Sequence, residues 1–211
     1  MKFVIIEDQA MIRQLLVMAC QKAFPDAEVF SAANGAAGVA LCAKEQPDLV
    51  VLDLVMPDCD GLDLMPELRR GASEVKVLIL SAHADEFKLH RAQQSGVNGF
   101  VDKGGQALAV LEEALRTILS GQPYYCSVMR GIRVQMREDP LSFSKVLSDR
   151  EMELLPLLGK GFSNEDIGTR LGLRATTVRN HRQNIMTKLE LGSTPQLIHY
   201  ALTKGFVRVG P

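Results

Sequence analysis

The chain has 211 residues, 46% of them hydrophobic and 23% charged, with a formal net charge of −1. That length suits two small domains, each able to bury its own core, and the composition is that of ordinary globular protein. No apolar run approaches the roughly 18 uninterrupted residues of a membrane span, and the N-terminus runs straight into a strand pattern instead of a signal or transit peptide, so a cytoplasmic protein with no membrane partner is expected.

The small net charge conceals an asymmetry. Residues 1–122 carry 11 Lys/Arg against 17 Asp/Glu, a net of −6, whereas residues 123–211 carry 13 against 8, a net of +5. A basic second half suggests a polyanionic partner. Cys20, Cys42, Cys59 and Cys126 show neither CxxC nor metal-type spacing and are expected to be reduced thiols.

In chain order, short apolar runs predict strands near residues 2–7, 28–31, 49–53, 76–80 and 98–101. Helices are predicted between them, at about 10–23, 34–45, 60–69, 85–95 and 105–120, from helical spacings such as Ile12, Leu15, Leu16 and Ala19. Five such units call for a doubly wound α/β domain with a five-stranded parallel sheet and right-handed crossovers. Gly121-Gln122-Pro123 stops the fifth helix. Val128, Met129, Ile132 and Met136 predict a short amphipathic connector helix, and Arg137-Glu138-Asp139-Pro140 an exposed linker. From Leu147 the pattern is purely helical, with segments near 149–159, 163–171, 175–190 and 194–204. Ser148-x-x-Glu151 and Ser163-x-x-Asp166 are capping-box patterns at the first two of them. The expected division is 1–121, a connector at 122–146, and 147–211.

The polar residues at the strand ends carry the chemistry. Leu49-Val50-Val51-Leu52 ends in Asp53, Phe3-Val4-Ile5-Ile6 in Glu7-Asp8, Val77-Leu78-Ile79-Leu80 in Ser81, and Gly99-Phe100-Val101 in Asp102-Lys103. Open parallel sheets place their chemistry at these C-terminal edges. Three carboxylates, a hydroxyl and one lysine predict a pocket for Mg²⁺ and a phosphoryl group, with Asp53 as the nucleophile.

This order and spacing resemble the receiver domain of two-component response regulators. The resemblance implies the strand order 2-1-3-4-5. It also implies Mg²⁺ held by Asp8, Asp53 and the carbonyl of Val55, with Glu7 acting directly or through water. Ser81 and Lys103 would bind the phosphoryl oxygens of phosphorylated Asp53, and Phe100, three residues before Lys103, would be an aromatic switch that turns inward as Ser81 is drawn toward the phosphate. His83, two residues past Ser81, is a candidate for tuning water access. Glu7 and Ser81 depart mildly from the commoner Asp and Thr. Haloacid-dehalogenase-type phosphatases also use a strand-end Asp, but they place a second Asp two residues on, where this chain has Val55, so an enzyme is not expected.

From Leu147 onward the chain resembles the LuxR/NarL-type helix-turn-helix. The residues that carry the likeness are Leu147 to Leu155, Gly161 to Ile167, Leu171-Gly172-Leu173, Thr176 to Ile185 and Lys188-Leu189. This implies a four-helix all-α domain whose helix 175–190 enters the major groove of double-stranded DNA, with Val178, Ile185 and Leu189 facing inward. Arg179, Asn180 and Gln183 are then the expected base contacts, with Thr177, Arg182 and Lys188 on phosphates. Arg174, where the family commonly has Ser or Thr, is a poor helix cap and a further candidate DNA contact. Thr194 stands where Arg is common.

The two resemblances imply a transcription regulator phosphorylated at Asp53 by a histidine kinase and binding DNA as a homodimer when phosphorylated. Two rivals remain at this point: a signalling adaptor whose helices bind protein, and a DNA-binding protein whose receiver is a phosphate-independent scaffold.

Overall fold

The computed structural model describes residues 1–82, 84–104 and 107–207. The chain divides into two compact units, Met1–Ala84 with Arg91–Gly131, and Asp85–His90 with Ile132–Pro211. His83, the candidate for tuning water access, lies outside the described residues.

In chain order β1 (Lys2–Ile6), β2 (Glu28–Ala32), β3 (Leu49–Asp53), β4 (Lys76–Ser81) and β5 (Gly99–Asp102) alternate with α1 (Ala10–Ala23), α2 (Gly35–Glu45), α3 (Met65–Gly71), α4 (Glu86–Gln94) and α5 (Ala107–Leu119), all in the first unit except residues 86–90 of α4. All pairings are parallel, and the spatial order begins β2-β1-β3-β4-β5. All five residues of β3 are buried. That is why its sequence is a continuous apolar run and not an alternation: a central parallel strand meets helices on both faces. Packing of α1 against α5, and of α2 against α3, supplies those faces. Each fully buried Val, Leu or Ile contributes about 1.5–3 kcal/mol, and Val4, Ile5, Val50, Val51, Leu78 and Ile79 form one such block in the centre of the sheet.

The structure departs from the sequence expectation in the sheet, in the helix at 60–69 and in the connector, where helix covers Arg137 and Glu138 of the predicted linker and a further turn forms at Phe143–Val146. The sheet has six strands, not five, because Tyr124–Tyr125 forms β6, parallel to β5. The predicted helix at 60–69 is divided: a 3₁₀ turn at Gly61–Leu64 precedes α3. The Asp60 side chain accepts from the Leu62 N–H at 3.0 Å and starts the turn. Pro66, with no N–H to give, then sits in the first turn of α3, the one part of a helix that tolerates it.

Beyond β6 the chain continues through α6 (Ser127–Glu138) and the single turn α7 (Phe143–Val146). The second unit then holds α8 (Asp149–Gly159), α9 (Asn164–Leu171), α10 (Ala175–Lys188) and α11 (Thr194–Thr203). Both capping boxes form as the sequence predicts, Ser148 with Glu151 and Ser163 with Asp166. Gly172 closes α9 in the left-handed region at φ 66°, which makes the tight turn into α10 possible. Val178, Ile185 and Leu189 are buried, as their spacing requires, and Phe143 packs edge-on against Phe206 at 4.8 Å.

Gly61 has a more demanding role. A Cβ there would lie 2.2 Å from the Asp53 carbonyl oxygen, and the Gly61 N–H donates to the Leu54 carbonyl at 2.9 Å. Gly61→Ala is therefore expected to cost about 1–3 kcal/mol, the usual penalty for forcing an extra methyl into close-packed structure, measured by urea denaturation.

Candidate functional site

The strand order sets β1 and β3 side by side and places β5 on the far side of β4. Their C-terminal ends bring Glu7, Asp8, Asp53 and Lys103 together. Glu7 and Asp53 are 1% and 3% exposed, so both carboxylates have given up most of their hydration. The Lys103 ammonium compensates: it lies 2.6 Å from a Glu7 oxygen and 3.0 Å from one of Asp53. Its backbone is fixed as well, because the Lys103 N–H donates to the Ser81 carbonyl at 2.7 Å. Ser81 is fully buried at the end of β4.

The charges do not cancel. Three carboxylates surround one ammonium, a surplus that a divalent cation would neutralise. Glu7, Asp8 and Asp53 each offer a carboxylate oxygen, and these atoms lie within 4.8 Å of one another. One Asp8 oxygen, Oδ1, is buried and has no hydrogen-bond partner. An orphaned buried carboxylate oxygen is costly, and coordination of a hard cation would satisfy it. The residues present therefore fit a Mg²⁺-type ion, with oxygen donors only.

Burial raises the Glu7 pKa above its ordinary value. The Lys103 hydrogen bond opposes this, and the negative charge of Asp53 adds to it. Val55 is 40% exposed at the rim, and its N–H donates to Asp53 Oδ1 at 3.3 Å. Phe100 is fully buried in β5.

Two supports were not foreseen from the sequence. The Arg13 guanidinium donates to the carbonyls of Glu7 at 2.7 Å and Asp8 at 3.1 Å, fixing the loop that presents both carboxylates. The Arg91 guanidinium forks onto Asp60 and Asp63, each at 2.6 Å, holding the turn that follows Asp53. A basic residue in the second turn of a helix, as Arg13 is, was the available signal: it sits at the end of α1 that the helix dipole disfavours for a cation.

In the second unit α10 exposes Arg179, Asn180 and Gln183, while Thr177 is half-buried. Arg174, at the N-cap, has no capping hydrogen bond and stays exposed. Arg182 and Lys188 are engaged within the fold. Arg182 donates to the Phe162 carbonyl at 3.1 Å, bracing α10 against the turn before α9. Lys188 pairs at 2.6 Å with Glu151, which is only 3% exposed. Burial alone would raise the Glu151 pKa, but Lys188 and the Ser148 N–H and hydroxyl outweigh it and lower the value.

Together, a strand-end carboxylate pocket and a helix-turn-helix with an exposed polar second helix define a phosphorylation-type signalling protein with a DNA-reading output. Comparison with known proteins agrees. Residues 3–116 match the response regulator receiver domain, and residues 145–201 match the bacterial regulatory proteins of the luxR family. The oxygen regulatory protein NreC of Staphylococcus epidermidis is 35% identical, over 97% of this chain and 98% of that protein. NreC of Staphylococcus haemolyticus is 33% identical over the same shares. Among solved structures, RcsB from Salmonella enterica serovar Typhimurium, bound to a promoter in the presence of the phosphomimetic BeF₃⁻, superposes with a TM-score of 0.68 at 20% identity, covering 95% of this chain and 97% of that one. A LuxR-family response regulator from Aurantimonas covers 65% of this chain and 98% of its own, with a TM-score of 0.61 at 22% identity.

The chain belongs to the two-component response regulators that join a receiver domain to a LuxR-type helix-turn-helix. It is a regulator of transcription and not an enzyme.

The raised Glu7 pKa has a signed consequence. Stability from protonated Glu7 is fully present below its ordinary value of 4.5 and is lost as pH rises through the higher folded value. Urea denaturation of the wild type and Glu7→Gln, compared at pH 4.5 and pH 7, should show the wild type losing stability relative to the variant on going up in pH; a constant difference would contradict this.

Proposed function

We propose that Asp53 accepts a phosphoryl group from the phosphohistidine of a histidine kinase, and that this modification controls binding of the exposed face of α10 to specific double-stranded DNA. The observation that carries the reading is the pairing of buried Asp53 with Lys103 beside two further carboxylates, one of which holds a buried oxygen without a partner. In the transfer, an Asp53 carboxylate oxygen attacks phosphorus, the phosphorus–nitrogen bond breaks, and the histidine nitrogen leaves with the electron pair.

The positions of the side chains support distinct roles. Asp8, Asp53 and Glu7, with the Val55 carbonyl, would hold Mg²⁺, which when bound offsets charge on the phosphoryl oxygens. Lys103 binds a phosphoryl oxygen as a point charge, and the Ser81 hydroxyl moves toward another. Phe100 turns into the space that Ser81 leaves.

Functionally the chain then reads as a receiver at 1–121, a connector at 122–146 and a DNA-binding domain at 147–211. Arg179, Asn180 and Gln183 contact base edges, with Arg174 and Thr177 on the flanking backbone. Arg182 and Lys188 reach phosphates only in so far as their bonds to Phe162 and Glu151 allow. A phosphorylated homodimer on paired half-sites about one DNA turn apart fits the symmetry of such operators. Among the described residues no helix is long and apolar enough to cross a membrane, and we place the protein in the cytoplasm.

Selection of genomic DNA fragments by the purified protein, with and without Mg²⁺ and beryllofluoride, tests this directly. The expected result is a palindromic site enriched much more strongly with beryllofluoride; equal enrichment would leave Asp53 without a regulatory role, and none would remove DNA as the partner. On the enriched site, Arg179→Ala should weaken binding by about 1–3 kcal/mol and relax the base preference at one position, read by competition between site variants.

A further inference from the structure

The sixth strand is absent from the sequence expectation, and its position at the edge of the sheet joins β5 to the connector. β6 is two residues long and is held to β5 by the Tyr124 N–H on the Asn98 carbonyl and the Cys126 N–H on the Phe100 carbonyl, each at 3.0 Å. Phe100 is thus the switch candidate and also the acceptor that secures the connector. Gly99 admits the strand: a Cβ there would stand 2.8 Å from the Tyr124 carbonyl oxygen and 2.6 Å from Ile118 Cδ1. The contact is close but short, two residues at the edge of the sheet, where local opening is less costly than in the central strands. Beside it lies a cavity of about 580 Å³, lined in part by Val110, Glu113, Tyr124, Cys126 and Arg130, so the strand has room to leave.

The sheet order sets the direction of any coupling. β6 lies on one side of β5, and β4 and β3 lie on the other. The Lys103 N–H is bonded to the Ser81 carbonyl at 2.7 Å, so movement of Ser81 toward Asp53 draws the end of β5 toward β3 and away from β6. We infer that β6 is a releasable strand, paired to β5 in the resting protein and shed when Asp53 is phosphorylated, which frees the connector that leads to the DNA-binding domain. This rests on the phosphoacceptor reading given above.

Amide hydrogen exchange of the full chain in Mg²⁺, with and without beryllofluoride, tests it, with beryllofluoride uptake followed by fluorine NMR in the same samples. The Tyr124 and Cys126 amides should be protected at rest and exchange about tenfold faster with beryllofluoride, as loss of their bonds to Asn98 and Phe100 predicts, while Val51 amide exchange stays unchanged. Uptake without a change at Tyr124 and Cys126 overturns the releasable strand and leaves the pocket intact; no uptake brings down the phosphoacceptor reading and this inference with it.

Linkage provides a second test. Cys126→Pro removes the donor to the Phe100 carbonyl at a position that precedes a helix and follows an extended residue, where proline is tolerated. If release and phosphorylation are coupled, this variant binds beryllofluoride about fivefold tighter than the wild type, while Cys126→Ala, which keeps the N–H, does not. Wild-type affinity in a Cys126→Pro protein that melts cooperatively overturns the inference; should that variant not fold, the exchange rates of the wild type decide.

Discussion

One ammonium group holds the receiver site together. Lys103 is the cation found between Glu7 and Asp53, and both carboxylates are almost fully withdrawn from water. Two carboxylates at that depth repel each other and have lost most of their hydration, so the pair depends on a counter-charge between them. The pairing has a structural cost that the rest of the sheet meets. β1 and β3 must deliver their carboxylates at one edge, β5 must run two residues past the level of Ile6 to carry Lys103 to them, and β4 must supply the Ser81 carbonyl that fixes the Lys103 backbone. Arg13 grips the Glu7 and Asp8 carbonyls for the same reason, and Gly61 lets the following turn close on Asp53 without a side chain in the way. A site built this way remains short of positive charge, and that shortage makes it receptive to a divalent cation.

The second unit uses ion pairing differently. Glu151 serves its own capping box and also receives Lys188, so one buried carboxylate joins the start of α8 to the end of α10. Arg182 braces the same helix through the Phe162 carbonyl. With Arg182 and Lys188 engaged in these bonds, Arg179 is the exposed cation of α10 outside them, flanked by exposed Asn180, Gln183 and Asn184 and joined by Arg174 at the helix start. The +5 charge of the C-terminal stretch therefore overstates what is free to meet a polyanion.

Much of this was legible in the sequence, for physical reasons. A buried parallel strand must be continuously apolar and must end where polar chemistry begins, so Asp53, Glu7, Asp8, Ser81 and Lys103 announced themselves by position. Capping boxes need fixed residue types at fixed spacing, and both formed. β6 was hidden because two residues have no period, and its pairing depends on Gly99, whose meaning lies in what approaches it. The 3₁₀ turn at Gly61–Leu64 was read as helix because its apolar spacing fits both. The partners of Lys188 and Arg182 were out of reach, since neither charge counts nor helical wheels show which carboxylate or carbonyl lies opposite.

The central claim is that Asp53 is the phosphorylated residue. Intact-mass measurement of the protein after incubation with Mg²⁺ and phosphoramidate, a small phosphoryl donor, tests it without a kinase. A gain of one phosphoryl group in the wild type, absent in Asp53→Asn and removed by hydroxylamine as an acyl phosphate should be, is the predicted result. No gain in the wild type, or an equal gain in Asp53→Asn, would contradict it.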